Sequence, residues 1–201
     1  MNETPPATPR PAASLVVLRW IDSGPAVLMG MRGAGHKFMP NRLVFPGGAV
    51  DAEDYAATPA VSLPAHVQAR LLAAASPELT AALGIAVARE LEEETGLSLG
   101  NPPNLGGLDY LCRATTPPSQ PIRFDARFFV VDATEVSGTL AGSGELENLR
   151  DYTVAEALEL DLAFATRSVL QRLLDWLDMT PEARAARRTT PAMQERVWRE
   201  E

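Results

Sequence analysis

Apolar positions along the chain fall into two rhythms. Ser14 to Ile21 (SLVVLRWI) is an almost unbroken apolar run rich in β-branched residues, and Ala26 to Arg32 (AVLMGMR) is a second, with the turn-like DSGP before it. β-Branched side chains suit a pleated backbone, so the two runs predict neighbouring strands. RLVF follows and stops at Pro46, Gly47 and Gly48, where glycine opens backbone conformations closed to other residues and predicts a special loop. GLDYLCR, IRFDARFFVVD and ELENLRDYTV predict further strands, separated by TTPPSQP and GTLAGSGE.

The second rhythm is helical. Leu63 to Ala75, with Pro64 near its start, predicts one helix, and Leu79 to Glu94 predicts another that Gly96 closes. TVAEALEL and ATRSVLQRLLDWLDM predict two more. Strands and helices are interleaved, as in an α/β fold, and 201 residues suffice for one complete core. The expected organisation is a flexible proline-rich arm at 1–13, a single domain at 14–180 and a polar, arginine-rich, partly ordered tail at 181–201.

Charge narrows the partners. A formal charge of -8 argues against a broad basic face for nucleic acid or an anionic membrane, so a phosphate-bearing ligand would need a metal or local arginines. The N-terminal stretch has no long apolar core and reads as neither a secretory signal nor an anchor. A single cysteine, Cys112, leaves no internal disulfide framework or multi-cysteine zinc site, which suggests a reducing, cytoplasmic setting with Cys112 in the core.

One helix carries the chemistry. RELEEETGL, from Arg89 to Leu97, gathers Glu90, Glu92, Glu93 and Glu94 beside the apolar stripe of Leu83, Val87 and Leu91. At about 100° per residue, Glu90 falls about 20° from Leu83 and Glu94 about 20° from Val87, so two carboxylates border the buried stripe. Unpaired burial of carboxylates is costly, and Arg89 alone cannot neutralise three of them. A hard divalent cation such as Mg²⁺ or Mn²⁺ can. A solvated acidic helix face is the alternative for such a run in isolation.

The context of that run, with FPGG ending a strand before it, resembles the Nudix hydrolase family. The family motif is Gly-x5-Glu-x7-Arg-Glu-U-x-Glu-Glu-x-Gly-U, where U is bulky and aliphatic. Arg89, Glu90, Leu91, Glu93, Glu94, Gly96 and Leu97 match its second half, and Gly48 matches its opening glycine. Two departures stand out. Arg89 lies 41 positions after Gly48, where the motif has 14, an insertion of 27 residues. The early glutamate is missing: counting forward from Gly48 gives Asp54 and counting back from Arg89 gives Ala81, and Asp51, Glu53, Asp54 and Glu78 read best as solvated loop acids.

The long insertion and the RFDARFF run, Arg123 to Phe129, are similar to the branch that includes coenzyme A diphosphatases, although Asn41 stands where that branch has a glycine. The resemblance implies an α/β/α sandwich with a mixed sheet and an extra helical insertion at about 51–80, which caps the pocket or forms a homodimer contact. It implies Mg²⁺ or Mn²⁺ held by Glu90, Glu93, Glu94 and the Gly48 carbonyl, with Arg89 orienting the carboxylates. Glu90 is the first choice of base; Glu145, after GTLAGSG, stands where relatives often supply another metal ligand or base, with a plain loop acid as its alternative and Glu147 a weaker competitor. Arg32, Lys37 and Arg42, with His36, would meet substrate phosphates, or else form a solvated basic loop. Arg123 and Arg127 read as ion-pair partners of Asp125, and Phe124, Phe128 and Phe129 as core. The implied reaction is hydrolysis of the diphosphate linkage in a small nucleoside diphosphate derivative. A Nudix-fold binding or regulatory domain is the competing reading, but such domains commonly lose box carboxylates that this chain keeps.

Overall fold

A computed structural model describes residues 6–201 apart from 34 and 36–38, so the expectations for His36 and Lys37 lie outside the described residues. Strand β1 (Arg10–Ile21) runs through the centre of the fold. Its side chains alternate between two buried clusters, Leu15 and Val17 in one and Val16 and Leu18 in the other. A parallel partner, Phe124–Asp132, repeats the division: Phe129 and Val131 face one side, Phe128 and Val130 the other. Burial on both faces is why these strands read as continuous apolar runs.

The remaining strands are β2 (Gly24–Arg32), β3 (Leu43–Val44), β4 (Gly47–Ala49), β5 (Leu97–Ser98), β6 (Asp109–Thr115), β7 (Phe124–Asp132, the parallel partner of β1), β8 (Ser137–Gly138), β9 (Leu146–Thr153), β10 (Pro191–Gln194) and β11 (Val197–Glu200). Nine of them form one mixed sheet in the order β11-β10-β6-β7-β1-β2-β3, with β4 paired to β1 and β9 to β2; β5 and β8 form a separate pair. Helices α1 (Ala65–Leu71) and α2 (Pro77–Thr95) cover one face through Val67, Leu71, Leu83, Val87 and Leu91. On the other face α3 (Val154–Glu159) and α4 (Phe164–Leu177) pack Ala157, Val169, Leu170 and Leu173. The result is the expected α/β/α arrangement.

Local chemistry sets the ends of α2. Ser76 Oγ accepts the Leu79 backbone N–H at 3.2 Å, Pro77 takes the first turn where no N–H is required, and Gly96 closes the helix at φ +73°. The helix therefore starts two residues earlier than its apolar periodicity suggests.

The arm and the tail differ from expectation. Strand β1 already begins at Arg10, inside the segment expected to be flexible. The C-terminal stretch forms α5 (Pro181–Ala186), β10 and β11, and β10 extends the sheet by parallel pairing of Ala192 with Arg113 and Met193 with Ala114. Its charges are held by partners that the composition conceals. Arg187 donates to Asp109 at 3.0 Å and to the Tyr110 carbonyl at 2.7 Å, and Glu201 accepts from Arg113 at 2.9 Å.

The insertion packs beside α2. Val67 and Leu71 are buried, and the fully buried Arg70 reaches Asp109 and the Tyr110 carbonyl. Its first turn, a 3-10 helix at Ala52–Tyr55, brings Asp54 under Arg89.

Candidate active site

The PGG turn and the end of α2 meet across β1. Pairing of β4 with β1 sets Gly48 opposite Ala13 and Gly47 opposite Ser14, and the Gly47 N–H donates to Glu94 Oε2 at 2.8 Å. Gly47 sits at φ +152°, and a Cβ there would lie 2.4 Å from the Ala13 carbonyl oxygen. A Cβ on Gly48 would lie 2.3 Å from Glu90 Oε1. The two glycines thus do different jobs: Gly47 lets the backbone pass β1, and Gly48 leaves the space that the Glu90 carboxylate occupies.

Arg89 organises the acids. Its Nε and one terminal nitrogen grip Asp54 through two hydrogen bonds of 3.0 Å, and it also donates to the Ala49 carbonyl at 3.0 Å, Glu90 at 2.8 Å and Glu93 at 3.0 Å. Asp54 is 2% exposed. This corrects the expectation of a solvated loop acid: Asp54, six positions after Gly48, is the buried counter-ion of Arg89. A fork-to-fork pair of this kind fixes the guanidinium plane and thereby the carboxylates it touches.

Glu90, Glu94, Glu145, Gly48 and Arg32 all border one pocket of about 520 Å³. Burial pushes the Glu94 carboxyl up to about 7, against the opposing Gly47 N–H, and raises Glu90 despite Arg89 beside it. Glu145 adds like charge to both. Each is less at ease ionised than a free glutamate, which is the condition a bound cation relieves.

Other candidates are placed differently. Glu93 has a 59% exposed side chain held by Arg89 and lies outside the pocket lining. Arg42 is also outside it, paired with Asp161 in the loop before α4. Arg127 is buried and bound to Asp125 at 2.6 Å and to the Ala74 carbonyl at 3.0 Å. Although burial works against it, Asp125 is held below the usual carboxylate range by Arg113 and Arg127. Arg123 donates to the Thr116 and Ala7 carbonyls. Phe129, Phe128 and Cys112 are core as expected, Phe128 also bordering the pocket, whereas the half-buried Phe124 lines the pocket. No described residue of the insertion lines it, so the expected cap over the pocket is not there. Arg10, Phe164 and Arg196, which carried no motif, do line it.

No protein-family model and no curated protein matches the sequence. Solved structures do match. A NUDIX hydrolase from Alicyclobacillus acidocaldarius superposes with a TM-score of 0.63 at 25% identity, over 82% of this chain and 90% of that one. The chain has the Nudix hydrolase fold. A MutT NUDIX hydrolase from Burkholderia pseudomallei gives 0.54 at 20% identity, over 83% and 99%. The NUDIX domain of Shewanella oneidensis NrtR, solved with ADP ribose, also gives 0.54, at 16% identity over 85% and 90%. The Alicyclobacillus acidocaldarius neighbour supports the Nudix hydrolase enzyme class for the chain.

Nudix hydrolases generally use divalent metal ions, and the residues here can be tested for that fit. Among the described residues no three acidic, histidine or cysteine side chains already stand as a closed ligand cluster. The donor chemistry nevertheless suits a hard cation: the buried Glu94 and the largely buried Glu90, both of raised proton affinity, and a third acid share one pocket beside a glycine turn. The group fits. No described helix is long and apolar enough to cross a membrane.

Proposed function

We propose that this protein hydrolyses the diphosphate linkage of a small nucleoside diphosphate derivative with Mg²⁺ or Mn²⁺, in the cytoplasm and without a nucleic-acid partner. The observation that carries the reading is the packing of the buried Glu94 and the largely buried Glu90 against the Gly47–Gly48 turn, in a pocket wide enough for a nucleotide and with Arg89 locked behind them.

In this reading Glu90, Glu94, Glu145 and the Gly48 carbonyl hold the metal, and Glu93 joins them on turning from Arg89. The bound metal would polarise the phosphate oxygens and acidify water. Glu90 is the proposed base: it takes the proton of the attacking water while a new oxygen–phosphorus bond forms and the bridging one breaks. Arg89 and Asp54 act as positioning residues. Arg32, on the pocket wall and close enough to lower the proton affinity of Glu94, is placed to meet substrate phosphate. Coenzyme A is one candidate substrate, alongside ADP-ribose and NADH.

The test is a hydrolysis screen by mass spectrometry over coenzyme A, ADP-ribose, NADH, dinucleoside polyphosphates and nucleoside triphosphates, with Mg²⁺ or Mn²⁺. Turnover that needs metal and vanishes in Glu94→Gln supports the enzyme and names its substrate class. Tight binding of one compound without turnover would instead identify a binding domain.

A further inference from the structure

The pocket has a second wall that owes nothing to α2. Phe164 opens α4 and is 47% exposed although it lines the pocket. The guanidinium of Arg196 lies over its ring, 5.1 Å from the centroid. Among the described residues Arg196 has no acidic partner, so its charge is directed neither into an ion pair nor into a structural network.

Arg196 is presented by a fixed scaffold. It occupies the two-residue turn between β10 and β11, where Glu195 and Arg196 take φ +50° and +64°, the left-handed geometry that joins twisted strands tightly. The hairpin is tied down on three sides: β10 pairs with β6, Arg172 stacks over Trp198 at 5.4 Å, and Arg113 holds Glu201. Such anchoring holds an exposed aromatic face and a planar cation in register. Met193 and Phe128 continue the same wall as apolar surface.

Given the diphosphatase function proposed above, we infer that Phe164 and Arg196 form the subsite for the planar base of the nucleotide, making the C-terminal hairpin a specificity element. At 5.1 Å the Arg196–Phe164 pair leaves no room for a ring between them, so a flat heteroaromatic ring would stack on the outer side of the guanidinium or on the exposed part of the Phe164 ring, both of them sequence-tolerant platforms for bases. A phosphate, by contrast, would gain from Arg196 but nothing from Phe164.

The experiment is calorimetry on the full chain with Mg²⁺, using methylenediphosphonate and the α,β-methylene analogues of ADP, GDP, UDP and CDP, which resist hydrolysis. The proteins are wild type, Phe164→Leu, Arg196→Gln and Glu94→Gln. At least one nucleotide analogue should bind about 10-fold or more tighter than methylenediphosphonate, and most of that gain should disappear in Phe164→Leu and Arg196→Gln while the diphosphonate binds them as it binds wild type. Equal loss of both ligands would make the wall a phosphate clamp or a structural prop and overturn the subsite. So would metal-dependent diphosphonate binding, abolished in Glu94→Gln, that no base improves. Absence of metal-dependent diphosphonate binding in wild type would sink the diphosphatase function itself, and the subsite with it.

Discussion

Asp54 and Arg89, 35 positions apart, are joined by two parallel hydrogen bonds of 3.0 Å, one to each carboxylate oxygen. The pair spans the insertion and ties the loop after PGG to α2. Removing Arg89 leaves the Asp54 charge buried, and removing Asp54 leaves Arg89 only its hydrogen bonds to Glu90, Glu93 and the Ala49 carbonyl. Asp54→Ala should therefore cost about 3 kcal/mol of stability and lower metal-dependent turnover, because Arg89 loses the fork that fixes its plane. Asp54→Asn should recover part of the stability. Urea unfolding together with rates at saturating metal checks this; turnover unchanged in Asp54→Ala would show that Arg89 needs no such anchor.

The glycine turn separates fold from site. Gly47→Ala places a methyl against the Ala13 backbone at a φ that L-residues rarely adopt, so it should destabilise by about 2 kcal/mol or more. Gly48→Ala meets the far end of the Glu90 side chain rather than backbone, so the carboxylate can turn aside; the change should leave stability within about 1 kcal/mol while weakening Mg²⁺ binding about 10-fold. Thermal melts and metal titration distinguish the two. An identical response to both changes would defeat the assignment.

Glu94 makes metal-free stability depend on pH. Its carboxyl titrates near 7 in the folded chain against a reference of 4.5, so the folded state holds the proton more tightly. The stabilisation is complete below about 4.5 and is lost as pH rises through about 7, amounting to at most about 3 kcal/mol. The raised proton affinity of Glu90 acts in the same direction. Glu94→Gln should flatten this slope, and Mg²⁺ should offset it in wild type by binding the ionised form. Urea unfolding in EDTA across that range is the measurement, and parallel slopes in wild type and Glu94→Gln would refute it.

Insertion helix α1 contributes packing to the face that carries α2, with Leu71 only 2% exposed. Leu71→Ala should cost about 2–5 kcal/mol and leave the order of preferred substrates unchanged. A reordered profile in a folded Leu71→Ala protein would return the insertion to a role in specificity.

Much of this was readable along the chain. Apolar run lengths gave the buried strands because both faces of β1 and β7 are covered, and the Arg89–Glu94 spacing placed carboxylates on the pocket side of α2 because helix geometry is periodic. Asp54 was visible too, at the family's distance from Gly48, but a lone acid in a loop carries no sign of burial until its partner is located. What tertiary structure decided was the meeting of distant segments. Arg42 was drawn to Asp161 and away from the pocket, the arginine-rich tail became ordered against Asp109 and the edge of β6, and Arg196 came to rest over Phe164. Local sequence determines periodicity and backbone freedom, whereas ion pairing and pocket walls depend on which segments the fold brings together, and that is set by the packing of the whole sheet.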